Sequence, residues 1–120
     1  MKKRILIIDD DARNIFALAA TLRAKGYETD SSSSARKALE LLQTDVSFDA
    51  ILIDMMMPEM DGYEAIPLIK KIPQRVMTRV IAVTAQAMVG DREKCLAAGA
   101  DDYLAKPVDV DRLFDLLQRK

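Results

Sequence analysis

Histidine is absent from this chain of 120 residues, and cysteine occurs once, as Cys95. Without an imidazole the chain cannot form a histidine-containing catalytic triad or zinc site, and any phosphohistidine must come from a partner. A lone cysteine excludes an internal disulfide and favours a reducing compartment. We predict that Cys95 is a small packing residue on a helix.

A long apolar run is also missing at the start of the chain. Residues 2–4 are basic, and the apolar run that follows covers only residues 5–8 before a series of aspartates. This run is too short for a signal peptide or a membrane span. The 18 basic and 19 acidic side chains nearly cancel, so no overall field attracts nucleic acid or a membrane. We therefore expect a cytoplasmic protein with neither of these partners.

Short aliphatic runs alternate with longer stretches of helical period, which is typical of βαβ units and a parallel sheet. The length fits one domain over residues 1–120. We predict an α/β doubly wound sheet with strand order 2-1-3-4-5. Pro67 should bend the third helix or shift its start, because proline lacks an N–H. The predicted strands cover residues 4–8, 27–30, 48–53, 79–84 and 102–105, and the predicted helices cover 12–25, the stretch after Ser34, about 62–71, 89–98 and 109–119.

Polar side chains that suit phosphate or metal chemistry stand at the ends of four of these strands. They are Asp9 and Asp10 after the first strand, Asp54 after the third, Thr84 at the end of the fourth and Lys106 after the fifth. The carboxyl ends of parallel strands share one edge, where open α/β sheets bind ligands. We therefore expect these side chains to share one small site.

The three carboxylates would raise one another's pKa unless a cation lies among them. Mg²⁺ prefers such oxygen ligands, although Ca²⁺ or Mn²⁺ would also accept them. Lys106 could place a point charge on a phosphoryl group, and Thr84 could donate its hydroxyl to the same group. Each residue alone has a simpler interpretation: a solvated loop with a helix cap, a charged turn, or an ordinary strand residue.

The chain resembles receiver domains of the two-component response regulator family. The resemblance covers essentially the whole length through IIDDD at 7–11, ILIDMMMPEMDG at 51–62, VTA at 83–85 and AAGADDYLAKP at 97–107. It implies a flavodoxin-like (βα)5 fold similar to that of the chemotaxis regulators. Residues 9–18 look like receivers attached to hybrid sensor kinases.

The resemblance also implies a role for each residue of the predicted site. Asp54 is the expected phosphoacceptor, and Thr84 and Lys106 are expected to bind the phosphoryl oxygens. The expected metal is Mg²⁺, with Mn²⁺ as an alternative. Its implied ligands are Asp10 directly, Asp9 through water, Asp54, and the backbone carbonyl of Met56.

Two further roles follow from the same resemblance. Tyr103 matches the switch aromatic of the family, which turns inward as Thr84 moves. Met56 and Gln86 match the two positions that tune the lifetime of the phosphoryl group. Neither side chain can act as a general base toward water. We therefore predict slow dephosphorylation compared with family members that carry a carboxylate or an amide at the first position.

The implied partners are a histidine kinase or histidine phosphotransfer protein and a downstream protein effector. The first helix and the loop after the fifth strand are the expected docking surface for the phosphohistidine protein. The fourth helix, fifth strand and fifth helix form an expected effector or homodimer face. The chain would assist its own phosphorylation and slow dephosphorylation, without turning over a separate substrate as an enzyme does.

Two competing functions remain at this stage. A degenerate receiver acting as a phosphorylation-independent adaptor would not need the intact set of five polar residues at the strand ends. A Mg²⁺-dependent phosphatase of the haloacid dehalogenase type needs Asp-x-Asp with its nucleophile after the first strand. Here the contiguous aspartates follow the first strand and the lone Asp54 follows the third, which disfavours that activity.

Overall fold

The computed structural model describes residues 3–85 and 88–118. Parallel strands form one sheet in the order β2-β1-β3-β4-β5, which confirms the predicted doubly wound fold. No helix within these ranges combines the length and apolar character needed to cross a membrane. The elements are β1 (Arg4–Ile8), α1 (Ala12–Ala24), β2 (Glu28–Ser32), α2 (Ala35–Leu42), β3 (Ala50–Asp54), α3 (Gly62–Lys70), a 3₁₀-helix (Pro73–Arg75), β4 (Arg79–Thr84), α4 (Asp91–Ala98), β5 (Asp102–Ala105) and α5 (Val110–Gln118).

The sheet is covered on both faces, because alternate residues of its central strands point to opposite sides. Leu6 and Ile8 of β1 join a core cluster that includes residues of α2, α3 and α4. Ile5 and Ile7 join a second cluster that includes residues of α1 and α5. All four side chains are fully or almost fully buried. The near-continuous apolar character of the central strands therefore reflects two separate cores rather than one.

Several element boundaries differ from the sequence prediction. β2 extends to Ser32, because polar residues of this edge strand continue the backbone pairing with β1. Asp54 lies within β3 rather than after it, since it is paired with Val83 of β4. α4 begins at Asp91 rather than at residue 89, because Gly90 has φ +92° and cannot be helical there. The predicted end of α5 at Arg119 lies outside the described residues.

α3 begins directly against the loop that follows Asp54. The Asp61 side chain caps this helix by accepting the Glu64 N–H at 3.0 Å. A Cβ on Gly62 would lie 2.9 Å from Met55 Cα and 2.4 Å from Met55 Sδ. Only glycine permits this approach of two backbones. The helix starts at the predicted residue and continues past Pro67, so the proline does not shift its start.

Gly62→Ala should destabilise the fold by about 1–3 kcal/mol, because the new methyl group forces the start of α3 away from Met55. Equilibrium unfolding in urea measures the change. Glu64→Ala is the matched control, since Glu64 is an exposed residue of the same helical turn. Equal unfolding midpoints for the two variants would contradict the close packing at Gly62.

Candidate functional site

Two buried carboxylates stand side by side at the carboxyl edge of the sheet. Asp9 follows β1 and is 3% exposed, and Asp54 ends the neighbouring strand β3 and is 6% exposed. Each is held by a backbone amide two residues further along the chain. Asp9 Oδ1 accepts the Asp11 N–H at 2.9 Å, and Asp54 Oδ1 accepts the Met56 N–H at 3.0 Å. These bonds fix one oxygen of each carboxylate and leave the other to face the cleft.

Lys106 connects the two carboxylates. Its Nζ lies 3.3 Å from Asp9 Oδ2 and 3.3 Å from Asp54 Oδ2. Its backbone N–H donates to the Thr84 carbonyl at 2.8 Å, which places the residue after β5 beside the end of β4. The peptide bond between Lys106 and Pro107 is cis. One ammonium therefore reaches both acidic side chains from the other side of β4.

The charges within this cluster perturb one another. Burial is the main cause that raises the pKa of Asp54, and the nearby Asp9 carboxylate adds to it, while the Met56 amide and Lys106 oppose the rise. Burial by itself lowers the pKa of Lys106, but Asp54 and Asp9 outweigh it and the pKa is raised. Lys106 is therefore firmly protonated, and it favours the ionised form of Asp54.

Asp10 completes an acidic cluster. One carboxylate oxygen from each of Asp9, Asp10 and Asp54 can be chosen so that all lie within 4.8 Å of one another. Asp10 is exposed, unlike the other two. Asp11 has a different role, because its side chain accepts the Arg13 N–H and caps α1. Three clustered oxygen donors, one of them open to solvent, fit a hard divalent cation that keeps part of its water shell.

Three of the other predicted residues, Thr84, Tyr103 and Met56, lie within the described part of the chain. Thr84 is 1% exposed at the end of β4, next to the strand that carries Asp54. Tyr103 is half-buried in β5 and paired with Ala82. The Met56 side chain is 49% exposed beside the cleft. Gln86 lies outside the described residues.

The amides of Asp11 and Met56 were missed by sequence reasoning. Both hold the carboxylates of the cleft, yet any residue except proline supplies an N–H. No residue pattern therefore marks them in advance. In both loops the amide comes two residues after the carboxylate that it binds, and this shared spacing becomes visible only in the folded structure.

Comparisons with known proteins agree with this geometry. The family model for the response regulator receiver domain matches residues 5–118. The chain is 42% identical over 115 residues to the signal transduction histidine-protein kinase BarA of Escherichia coli K12. That alignment covers 96% of this chain but 12% of the length of BarA. The relative is therefore a much longer protein, of which this chain matches one part.

Two solved structures share the fold closely. One is the receiver domain of sensor histidine kinase PA1611 from Pseudomonas aeruginosa PAO1, with magnesium ion coordinated in the active site cleft. It is 37% identical with a TM-score of 0.89, over 99% of this chain and 97% of that chain. The other is a response regulator protein from Burkholderia pseudomallei with a phosphorylated aspartic acid, calcium ion and citrate. It is 27% identical with a TM-score of 0.86, over 98% and 67% of the two chains.

The chain belongs to the response regulator receiver domain family and is a receiver domain of two-component signal transduction. Its similarity to the kinases BarA and PA1611 supports the prediction that it is of the hybrid-sensor-kinase type. Neither the adaptor nor the phosphatase alternative is favoured by these matches.

Asp54→Asn should stabilise the protein at neutral pH when a chelator removes divalent cations. The raised pKa of Asp54 means that the fold disfavours its ionised form. The stability linked to the protonated carboxyl is present in acid and is lost as the pH rises through the raised pKa. The gain from asparagine should therefore be small in acid and grow toward neutral pH, as measured by urea unfolding. A loss of stability at neutral pH in Asp54→Asn would contradict the prediction.

Proposed function

We propose that Asp54 accepts a phosphoryl group from a phosphohistidine of a partner protein and that Mg²⁺ assists the transfer. The observation that supports this most is the shared contact of Lys106 with Asp9 and Asp54 inside an acidic cluster. A buried carboxylate with one oxygen fixed and a cation beside the other is oriented for attack on phosphorus. The magnesium ion in the PA1611 receiver domain and the phosphorylated aspartic acid in the Burkholderia response regulator protein support the same assignment.

The metal would be held by Asp10, Asp9, Asp54 and the backbone carbonyl of Met56, with Mn²⁺ as an alternative to Mg²⁺. When bound, a divalent cation neutralises the negative charge that gathers on the three carboxylates and on phosphate oxygens. Its double charge also makes the ionised state of Asp54 easier to reach, because an opposite charge nearby lowers the pKa of a carboxylate.

Phosphoryl transfer to Asp54 forms one bond and breaks one bond. A carboxylate oxygen of Asp54 attacks the phosphorus, and the bond from phosphorus to the histidine nitrogen of the partner breaks. The electron pair returns to the imidazole, which leaves without its phosphoryl group, and an aspartyl phosphate remains. Lys106 balances charge on the phosphoryl oxygens, and the Thr84 hydroxyl donates to one of them. Positioning and charge stabilisation are the main contributions of proteins to this reaction.

Incubation with Mg²⁺ and acetyl phosphate should add the mass of one phosphoryl group to the wild-type chain. The gain should disappear in Asp54→Asn and when a chelator removes the metal. Intact mass measurement gives the result directly. Asp11→Asn is the matched control, because Asp11 lies in the same acidic loop but caps α1, and it should still gain the phosphoryl group. An equal gain in Asp54→Asn would remove the acceptor assignment.

Thr84 and Tyr103 are the proposed switch pair. Phosphorylation brings a charge of about −2 and new acceptor oxygens to the site. Thr84 then moves toward the phosphoryl group and Tyr103 turns inward, which changes the surface of α4, β5 and α5. The positions of the pair support this role: both lie on adjacent strands, with Thr84 at the cleft and Tyr103 packed against the core below α4.

Met56 and Gln86 are the proposed tuning residues for the lifetime of the phosphoryl group. Loss of the group needs a water molecule to attack phosphorus, and a thioether cannot orient or deprotonate that water. The Met56 side chain is half-exposed, and its backbone amide binds Asp54. Dephosphorylation should therefore be slow.

Met56→Asn should accelerate dephosphorylation, because the amide can form a hydrogen bond to the attacking water. The decay of the phosphorylated mass after removal of acetyl phosphate measures the rate. Met77→Asn is the matched control, since Met77 is 93% exposed in the loop before β4 and lies at the opposite edge of the sheet. A decay in Met56→Asn that is unchanged or slower than in the control would exclude this role.

The proposed docking surface for the phosphohistidine protein combines α1 with the loop after β5. The two elements line a mainly apolar groove next to the cleft, which includes Leu18, Pro107 and Val108. Phe16 lies on α1 with 77% of its surface exposed. An apolar surface beside Lys106 suits a histidine kinase or histidine phosphotransfer protein that must bring its phosphohistidine to Asp54.

The remaining proposals concern the wider setting of the domain. The domain spans residues 1–120 and passes its signal to a downstream protein effector, with α4, β5 and α5 as the effector or homodimer face. The lack of an excess of basic residues supports a function without nucleic acid. We place the domain in the cytoplasm, where a phosphohistidine partner is available. It acts as a phosphoacceptor rather than as an enzyme with a separate substrate.

A further inference from the structure

The turn before α4 is closed by two reciprocal hydrogen bonds. The Asp91 N–H donates to the Met88 carbonyl at 3.1 Å, and the Met88 N–H donates to Asp91 Oδ2 at 3.1 Å. Gly90, at φ +92° and ψ −10°, has the conformation of the second central residue of a type II turn. We call this pair of hydrogen bonds the Met88–Asp91 clasp. Asp91 is 7% exposed, so its carboxylate is committed to this turn rather than to solvent.

α4 is held differently from its neighbours. Among the described residues, 3–85 and 88–118, one side-chain hydrogen bond joins α4 to another element. It is a 3.9 Å contact between Tyr63 Oη of α3 and Cys95 Sγ of α4. This bond is weak, because sulfur is a weak hydrogen-bonding partner. Other helices are anchored by cations from distant parts of the chain. These contacts join Arg75 to the Leu42 carbonyl of α2, Lys70 of α3 to Asp101, and Lys3 and Arg79 to carbonyls of α5.

Along the sequence, the clasp also lies between the two proposed switch residues, Thr84 and Tyr103. Thr84 ends β4 only four residues before Met88, so any movement of Thr84 must be absorbed by a very short connection. Burial is the main cause that raises the pKa of the Tyr103 phenol, and the negative charge of Asp91 adds to the rise. The same carboxylate therefore binds the Met88 amide and acts electrostatically on Tyr103.

We propose that Asp91 is a positioning residue whose clasp on Met88 restrains the amino end of α4 in the unphosphorylated chain, and that phosphorylation opens this clasp. The inference rests on the proposed phosphorylation of Asp54. Within the described part of the chain, α4 lacks the long-range cationic anchors of α2, α3 and α5. The clasp is therefore one local restraint on the amino end of α4, which follows Thr84 in the chain. Removing it lowers the free energy needed to reach the phosphorylated conformation.

Asp91→Ala tests the proposal through the rate of phosphorylation by acetyl phosphate and Mg²⁺, followed by intact mass. The rate should rise about fivefold, which is the factor that corresponds to the net free energy of one hydrogen bond. Asp91→Asn retains a carbonyl oxygen that can accept the Met88 N–H, so it should restore the wild-type rate. Urea unfolding of each variant shows how much stability is lost.

Asp49→Ala is the matched control. Asp49 forms the same reciprocal pair with Arg4: its N–H donates to the Arg4 carbonyl at 2.8 Å, and its Oδ2 accepts the Arg4 N–H at 2.8 Å. This second pair lies at the amino edge of the sheet, away from Asp54. The variant therefore loses an equivalent carboxylate bond without touching the connection to α4, and its rate should equal that of the wild type.

Hydrogen exchange of the wild-type chain gives an independent measurement that does not depend on folding of a variant. The amide of Met88 should exchange faster after phosphorylation, because the clasp no longer protects it. Unchanged exchange would overturn the proposal, and so would an Asp91→Ala rate equal to that of Asp49→Ala. A wild-type chain that gains no phosphoryl group would instead overturn the proposed function, and the inference with it.

Discussion

The structure depends on the burial of two carboxylates at the ends of neighbouring strands. Asp9 and Asp54 would repel each other in a site from which water is largely removed, and burying a carboxylate without partners is costly. Lys106 and two backbone amides compensate for this. The charges of the site are consequently balanced. A divalent cation and a phosphoryl group can be added together, because the positive charge of the one offsets the negative charge of the other.

This electrostatic balance explains features of the surrounding backbone. Each carboxylate needs an amide two residues later, so the loops after β1 and β3 turn sharply at the strand ends. The loop after Asp54 can do so because α3 begins with Gly62, where a side chain would collide with Met55. Lys106 reaches the acids because its amide is bonded to the end of β4. The fold thus places a flexible ammonium on a fixed backbone position.

Much of the architecture could be predicted from residue patterns, and the failures have physical causes. Alternating aliphatic runs and helical periods predict a parallel α/β sheet, and the order 2-1-3-4-5 is one of the common orders of doubly wound sheets. The polar residues at the strand ends mark the shared edge. The pattern placed Asp54 after its strand, because a charged residue interrupts an apolar run, yet its backbone still pairs with β4. It began α4 two residues early, because apolar character at residue 89 says nothing about the left-handed turn at Gly90.

The sequence by itself determined the composition of the site: which acids, which hydroxyl and which amine stand at the strand ends, and that no histidine is present to act as donor. Only the tertiary structure decided which oxygen of each acid is bonded, that Lys106 bridges both, and that Asp91 turns back to Met88. The physical reason is that the spacing of apolar residues along the sequence indicates which side chains are buried, and burial is a property of each residue. Hydrogen bonds between backbone and side chain depend on loop conformations that many sequences can adopt.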